Sequence, residues 1–169
     1  MTTTYTPPSP TLLTRDQQRV AARLVYGASN QLIARQEHLA VFTVASHLAA
    51  ARRKLDRPNS SRAVLTHALL TAREVPPPPA PGPAPEFTEH DRQVIRAFAE
   101  HTLNAAIGNA IGVRADDVRA EIDAVAAKAG ACNEVHLVGL SHTWEILGES
   151  APASARSQLE LAAATAGAA

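Results

Sequence analysis

Residues Leu39 to Leu55 read L-A-V-F-T-V-A-S-H-L-A-A-A-R-R-K-L. Apolar side chains recur at Leu39, Phe42, Val44, Leu48, Ala51 and Leu55, close to the period that sets one face of an α-helix against a core. The opposite face begins with small residues and ends in Arg52, Arg53 and Lys54. A slim helix with a cationic C-terminal end fits a DNA groove. It equally fits a packed helix with a solvated tail, so the flanking sequence must decide.

Upstream, Thr14 is placed to N-cap a helix whose first turn holds Asp16 and Gln17 and whose apolar side holds Val20, Leu24 and Val25; Gly27 ends it. Ser29 or Asn30 can cap a second, short helix carrying Leu32, Ile33 and Ala34, after which the chain turns near His38. Downstream, Asp56-Arg57-Pro58-Asn59 breaks the third helix, because proline disfavours helical backbone at the residue before it. Asn59 or Ser60 is then expected to cap a fourth helix through Ala63, Val64, Leu65, Ala68 and Leu69. Four short helices with tight turns and no strand pattern describe a small helical domain of DNA-binding type or a small bundle.

Val75 to Pro85, V-P-P-P-P-A-P-G-P-A-P, reads as a linker. Consecutive prolines favour extended polyproline II, which would hold two domains apart by up to about 30 Å. Beyond it the first half is repeated: adding 74 to each position superposes the two halves without a gap. Leu13-Thr14 falls on Phe87-Thr88, Val20 on Val94, Asn30 on Asn104 and Ile33 on Ile107. Likewise Val44 falls on Val118, Leu48 on Ile122 and Val64 on Val138. The matches are core positions and caps, so two domains of one fold follow. The expected organisation is a disordered leader over 1–10, a basic domain over 11–74, the linker over 75–85, an acidic domain over 86–149 and an Ala-rich tail over 150–169.

The zero net charge conceals this division. Residues 11–74 hold ten Arg or Lys against four acids, a net +6, whereas residues 86–149 hold five against eleven, a net −6. One half would attract a polyanion and the other repel it. Hydrophobic residues make up 46 % of the chain, but alanine supplies much of that and only six residues are aromatic, which favours short, closely packed helices over a β-rich core. No apolar run approaches the roughly 20 residues of a membrane span, and a cytoplasmic protein is expected. The single cysteine, Cys132, excludes an internal disulfide and is expected to be a small, buried or half-buried side chain.

The run L-T-R-D-Q-Q-R-V-A-A-R-L-V-Y-G-A-S-N-Q-L-I-A (Leu13 to Ala34), followed by T-V-A-S-H-L (Thr43 to Leu48), R-K-L (Arg53 to Leu55) and A-V (Ala63, Val64), resembles the LuxR-type, GerE-like helix-turn-helix domain. The second half resembles it faintly, mainly by repeating the first. The expected fold is therefore all-α, two tandem four-helix helix-turn-helix domains joined by the proline-rich linker, the second degenerate. The resemblance implies binding to duplex DNA with the third helix in the major groove and the fourth helix used for dimer contacts. Carried over by position, Ala45, Ser46 and Ala49 would face the groove and Thr43 would lie near a phosphate. Phosphate contacts are expected from Arg15, Arg19, Gln31, Arg35, Arg52, Arg53 and Arg57. These groove positions are small: Ser46 can bond several bases and the alanines can touch a thymine methyl, but no bidentate base contact is available.

Three departures from the family pattern stand out: Glu37 in place of leucine, Ala40 in place of a capping serine, and Val41-Phe42 in place of polar residues. Phe42 is read either as core, the preferred expectation, or as an exposed apolar contact for a base or a protein. In the second half Arg119 takes the place of Ala45 but sits among Asp116, Asp117, Glu121 and Asp123, so this copy is expected to have kept the fold and lost the groove.

The seven histidines show no ligand spacing, there is no glycine-rich phosphate loop, and neither a metal, a cofactor nor an enzymatic activity is expected. The functional expectation is a bacterial-type, DNA-binding transcription regulator. Its N-terminal copy would contact duplex DNA, and its C-terminal copy would serve dimerisation or partner binding. A homodimer is expected, with Leu65, Leu69, Leu140 and Trp144 as dimer or partner contacts. The alternative is a protein-interaction adaptor or co-regulator that docks on another regulator or RNA polymerase, with little or no DNA reading.

Overall fold

The computed structural model describes residues 12–148, so the expected leader and the Ala-rich tail lie outside the described residues. Within them the chain is all-α, with eight helices and no strand. The first unit comprises α1 (Arg15–Leu24), α2 (Asn30–Glu37), α3 (Val41–Lys54) and α4 (Arg62–Thr71); the second comprises α5 (Glu89–Glu100), α6 (Asn104–Ile111), α7 (Val118–Ala129) and α8 (Glu134–Thr143).

Local chemistry sets these boundaries. Thr14 and Gln17 form a reciprocal capping box at α1, and Thr88 and Asp91 repeat it at α5. Just upstream of α1, the buried Glu74 carboxylate accepts from the backbone N–H of Leu12 (2.7 Å) and Leu13 (3.1 Å), tying the end of the first unit to its beginning. Ser29 caps α2, and His38 closes it in the left-handed region at φ 55°. The cap of α4 is Ser61, whose hydroxyl accepts from Val64 N at 3.2 Å, and not Asn59 or Ser60. The helix opened by the expected Leu39–Leu55 stretch runs from Val41 to Lys54, and its N-cap, Ala40, offers no side-chain acceptor.

The first core gathers Val20, Leu24, Ile33, Val44, Leu48, Leu65 and Leu69; the second gathers Val94, Ile95, Ile107, Val118, Ile122 and Val138. They are not two separate globules. Ala63 of α4 lies in the second core, Val135 of α8 lies in the first, and α4 packs along α8 and against α5. The expected spacing of two domains by a stiff linker is therefore corrected. Helix α4, R-A-V-L-T-H-A-L-L-T, is apolar around most of its circumference, and such a helix is covered on both sides. Its own unit covers one side and the second unit the other.

The proline-rich segment lies against α8 instead of spanning a gap. Thr143 Oγ1 donates to the Pro78 carbonyl at 2.5 Å, and Trp144 Nε1 donates to the Gly82 carbonyl at 3.1 Å. Gly139 sits where α8 meets the end of α1: a Cβ there would come within 2.5 Å of the Val25 carbonyl oxygen and 2.8 Å of Pro78 Cγ. Asn133, the N-cap of α8, donates to the Gly27 carbonyl at 2.8 Å.

These contacts overturn the partner surface expected of Leu65, Leu69 and Leu140. The three leucines are fully buried inside one chain. Trp144 is half-buried, packed on Phe87 with ring centroids 5.9 Å apart and bonded to the linker. Cys132 is also corrected: it is exposed, its Sγ 3.3 Å from His136 Nδ1.

Candidate nucleic-acid interface

Val44, Leu48 and Ala51 anchor α3 in the first core, against α1 and α2. The helix therefore turns its other face outward. Ala45 and Ser46 are exposed on that face, Thr43 and Ala49 are half-buried at its margins, and Arg53 is exposed at its C-terminal end. Phe42 does not enter the core as preferred from the sequence: it is 83 % exposed, beside Val41 at 46 %. The register explains this. Val44, Leu48 and Ala51 take the inward positions, and Phe42, two residues before Val44, falls about 200° around the helix from it.

Among the cationic candidates the structure separates two kinds. Arg15, Arg35, Arg53 and Arg57 are exposed, as is Gln31, and no salt bridge among the described residues holds any of these four arginines. Arg19 and Arg52 are engaged within the chain. Arg19 Nη2 lies 2.6 Å from Glu37 Oε2, and Arg23 Nε lies 2.8 Å from Glu37 Oε1. The Arg23 hydrogen bond, working against burial and assisted by Arg19, holds the Glu37 carboxyl below the ordinary carboxylate range. Glu37, a departure from the pattern expected of the sequence, is thus a buried anion that clamps α1 to α2. Arg52 Nε donates to the Ser60 carbonyl at 3.0 Å and fixes the turn into α4; burial lowers its pKa, though an arginine keeps its charge at neutral pH.

Arg62, not singled out from the sequence, is a further structural cation. It donates to Asn30 Oδ1 at 2.6 Å and to the Ala28 carbonyl at 2.5 Å, locking α4 to the start of α2. No local sequence pattern signals these long-range pairings.

The corresponding surface of the second unit is chemically different. Arg119 on α7 is held by Asp123 at 3.1 Å and Glu134 at 2.9 Å, and Glu134 leads the shift that raises its pKa. Arg114 pairs with Asp116 and Asp117, and Lys128 with Asp91 at 2.5 Å. These cations are already neutralised by neighbouring carboxylates, and Arg119 has none of the freedom of Arg53. Among the described residues, no group of His, Cys, Asp and Glu is arranged to hold a metal ion, and no helix is long and apolar enough to cross a membrane.

Residues 11–67 match the family model GerE, described as bacterial regulatory proteins, luxR family. The match takes in α1, α2, α3 and the first part of α4, and the second unit lies outside it. Comparison with curated proteins gives no match, and neither does comparison with solved structures. The matched family is one of regulators and not of enzymes. The basic unit, with its outward-facing α3, is thus similar to a LuxR-family helix-turn-helix domain, and the acidic unit is a second helical body without that family match.

Proposed function

We propose that the chain is a DNA-binding transcription regulator that lays α3 in the major groove, with the second unit acting as the intramolecular support of the first. One observation carries this reading: the small outward face of α3, Ala45, Ser46 and Ala49, stands on a unit of net charge +6. Small side chains let a helix approach base edges closely, while arginines at its flanks hold phosphates. Ser46 supplies the hydrogen-bonding group on that face, so most of the affinity comes from Arg15, Arg35, Arg53 and Arg57, with Gln31 and Thr43 as neutral contacts.

The second unit covers α4 in cis, which removes the need for another subunit there. We propose that one chain presents one DNA-reading helix, and that a homodimer would use a surface other than α4. Selection of bound sequences from a random duplex pool by the full chain tests the reading. A defined preferred site that changes on Ser46→Arg supports it; an unchanged preference places α3 outside the groove.

The adaptor reading draws on a different observation. An open groove of about 730 Å³ is lined by Tyr26 and Leu32, 50 % and 43 % exposed, together with Arg23 and Cys132. It lies on the α1–α2 side, away from the outward face of α3, and is compatible with docking by a regulator already on DNA.

A further inference from the structure

The outward face of α3 is more apolar than a base-reading helix needs to be, and its pattern has a chemical counterpart. Phe42, Ala45, Ser46 and Ala49 follow i, i+3, i+4, i+7 spacing and form a single stripe, with Val41 beside its N-terminal end. Apart from the Ser46 hydroxyl, every one of these side chains is hydrocarbon. The stripe spans about 10 Å at 1.5 Å per residue, which is roughly three base-pair steps. In the major groove the one apolar group on any base edge is the thymine C5-methyl.

Phe42 sharpens the argument. An aromatic ring left 83 % exposed at the head of the helix is unfavourably hydrated in the free protein. It stands on a unit of net charge +6, with the exposed Arg53 toward the C-terminal end of the same helix, so a polyanion is the occupant that the unit's charge selects. We propose that α3 reads its site chiefly through thymine methyl groups, with Phe42 as the principal methyl contact, Ala45 and Ala49 as secondary ones, and Ser46 as the single hydrogen-bonding reader. This rests on the DNA reading above and names how that site discriminates sequence: it favours a run of about three to four base pairs rich in thymine.

Replacing thymine by uracil removes the methyl and leaves base pairing intact. The full chain is titrated, by fluorescence anisotropy at fixed salt, against a duplex recovered from the random pool and against the same duplex with its thymines changed to uracil. The expected result is a loss of about fourfold in affinity for each methyl buried. Phe42→Ser should weaken binding to the thymine duplex and narrow the difference between the two duplexes to the smaller share read by Ala45 and Ala49, with an unchanged salt dependence. Because the side chain is exposed, its melting temperature should match that of the parent chain.

Equal affinity of the parent chain for the two duplexes, with binding still falling steeply as salt rises, overturns the methyl reading and leaves the DNA reading standing. Absence of salt-dependent binding to any duplex overturns both. Phe42→Ser that weakens both duplexes alike, or that abolishes self-association of the chain instead of base preference, overturns the role assigned to Phe42.

Discussion

Substitution of Gly139 by alanine tests the packing of the two units through the sign of its effect. Gly139 lies inside α8, where alanine is favoured over glycine by about 1 kcal/mol in helix propensity. Were the units held apart by an extended linker, Gly139→Ala would stabilise the second unit by about that amount, raising its Tm by roughly 4–8 °C. In the packed arrangement the new Cβ meets the Val25 carbonyl oxygen at 2.5 Å and Pro78 Cγ at 2.8 Å. The nearest obstacle is backbone and not the end of a flexible side chain, so α8 must shift away from α1. Overpacking of this kind costs about 1–3 kcal/mol. Set against the propensity gain, the clash leaves a net loss of up to about 2 kcal/mol and a fall in Tm of up to roughly 8 °C. Thermal unfolding followed by far-ultraviolet circular dichroism, with urea unfolding as a second probe, reads the sign. A higher Tm for the alanine variant would refute the docking of α8 on α1 and the linker.

Three further outcomes are expected. Arg53→Ala should weaken DNA binding across sequences and reduce the salt slope by about 1, whereas Arg52→Ala should chiefly lower thermal stability, because its Nε holds the Ser60 carbonyl; binding isotherms and melts of the two variants separate the roles. Glu37→Gln should cost about 1 kcal/mol at neutral pH, a modest figure because both arginine partners are about half exposed. Since the folded carboxyl titrates below its ordinary value, the parent's advantage should be full above the usual carboxylate range and vanish as pH falls through the lowered folded value, as urea melts at stepped pH will show. At the seam between the units, His67 Nδ1 and His142 Nε2 lie 2.9 Å apart, and burial pushes both pKa values down, that of His142 to about 4. Glu100 opposes the shift at His67 and Arg57 reinforces it. A folded value below the unfolded one means that the unfolded chain binds more protons. Stability should therefore be full above about pH 6.5 and decline toward pH 4, and His142→Leu should flatten that decline in the same series of melts.

Much of the first unit is legible in the sequence because its signals are local. Thr14 with Gln17 at one helix start, Ser29 at the next, and the inward series Val44, Leu48 and Ala51 place α1, α2 and α3 with little tertiary information. What escapes is set by partners distant in sequence. Arg19 and Arg52 read as phosphate contacts until Glu37 and the Ser60 carbonyl are seen beside them. Leu65, Leu69 and Leu140 read as a partner surface because helical periodicity shows an apolar face without showing what covers it. One signal was present all the same: the apolar residues of α4, Ala63, Val64, Leu65, Ala68, Leu69 and Leu70, are spread around most of the helix, and such a helix needs cover on more than one side. The acidic unit supplies that layer. Phe42 illustrates the reverse error, an aromatic taken for core because of its type when its register put it outside.

The central claim is that this chain engages duplex DNA through the cationic surround of α3, and the salt dependence of binding tests it most directly. The affinity of the full chain for duplex DNA, measured from about 50 to 200 mM salt, should fall with a log–log slope of about −3 to −4, the value expected if Arg15, Arg35, Arg53 and Arg57 each displace a counterion. No measurable binding at the low-salt end, or an affinity independent of salt, would contradict it.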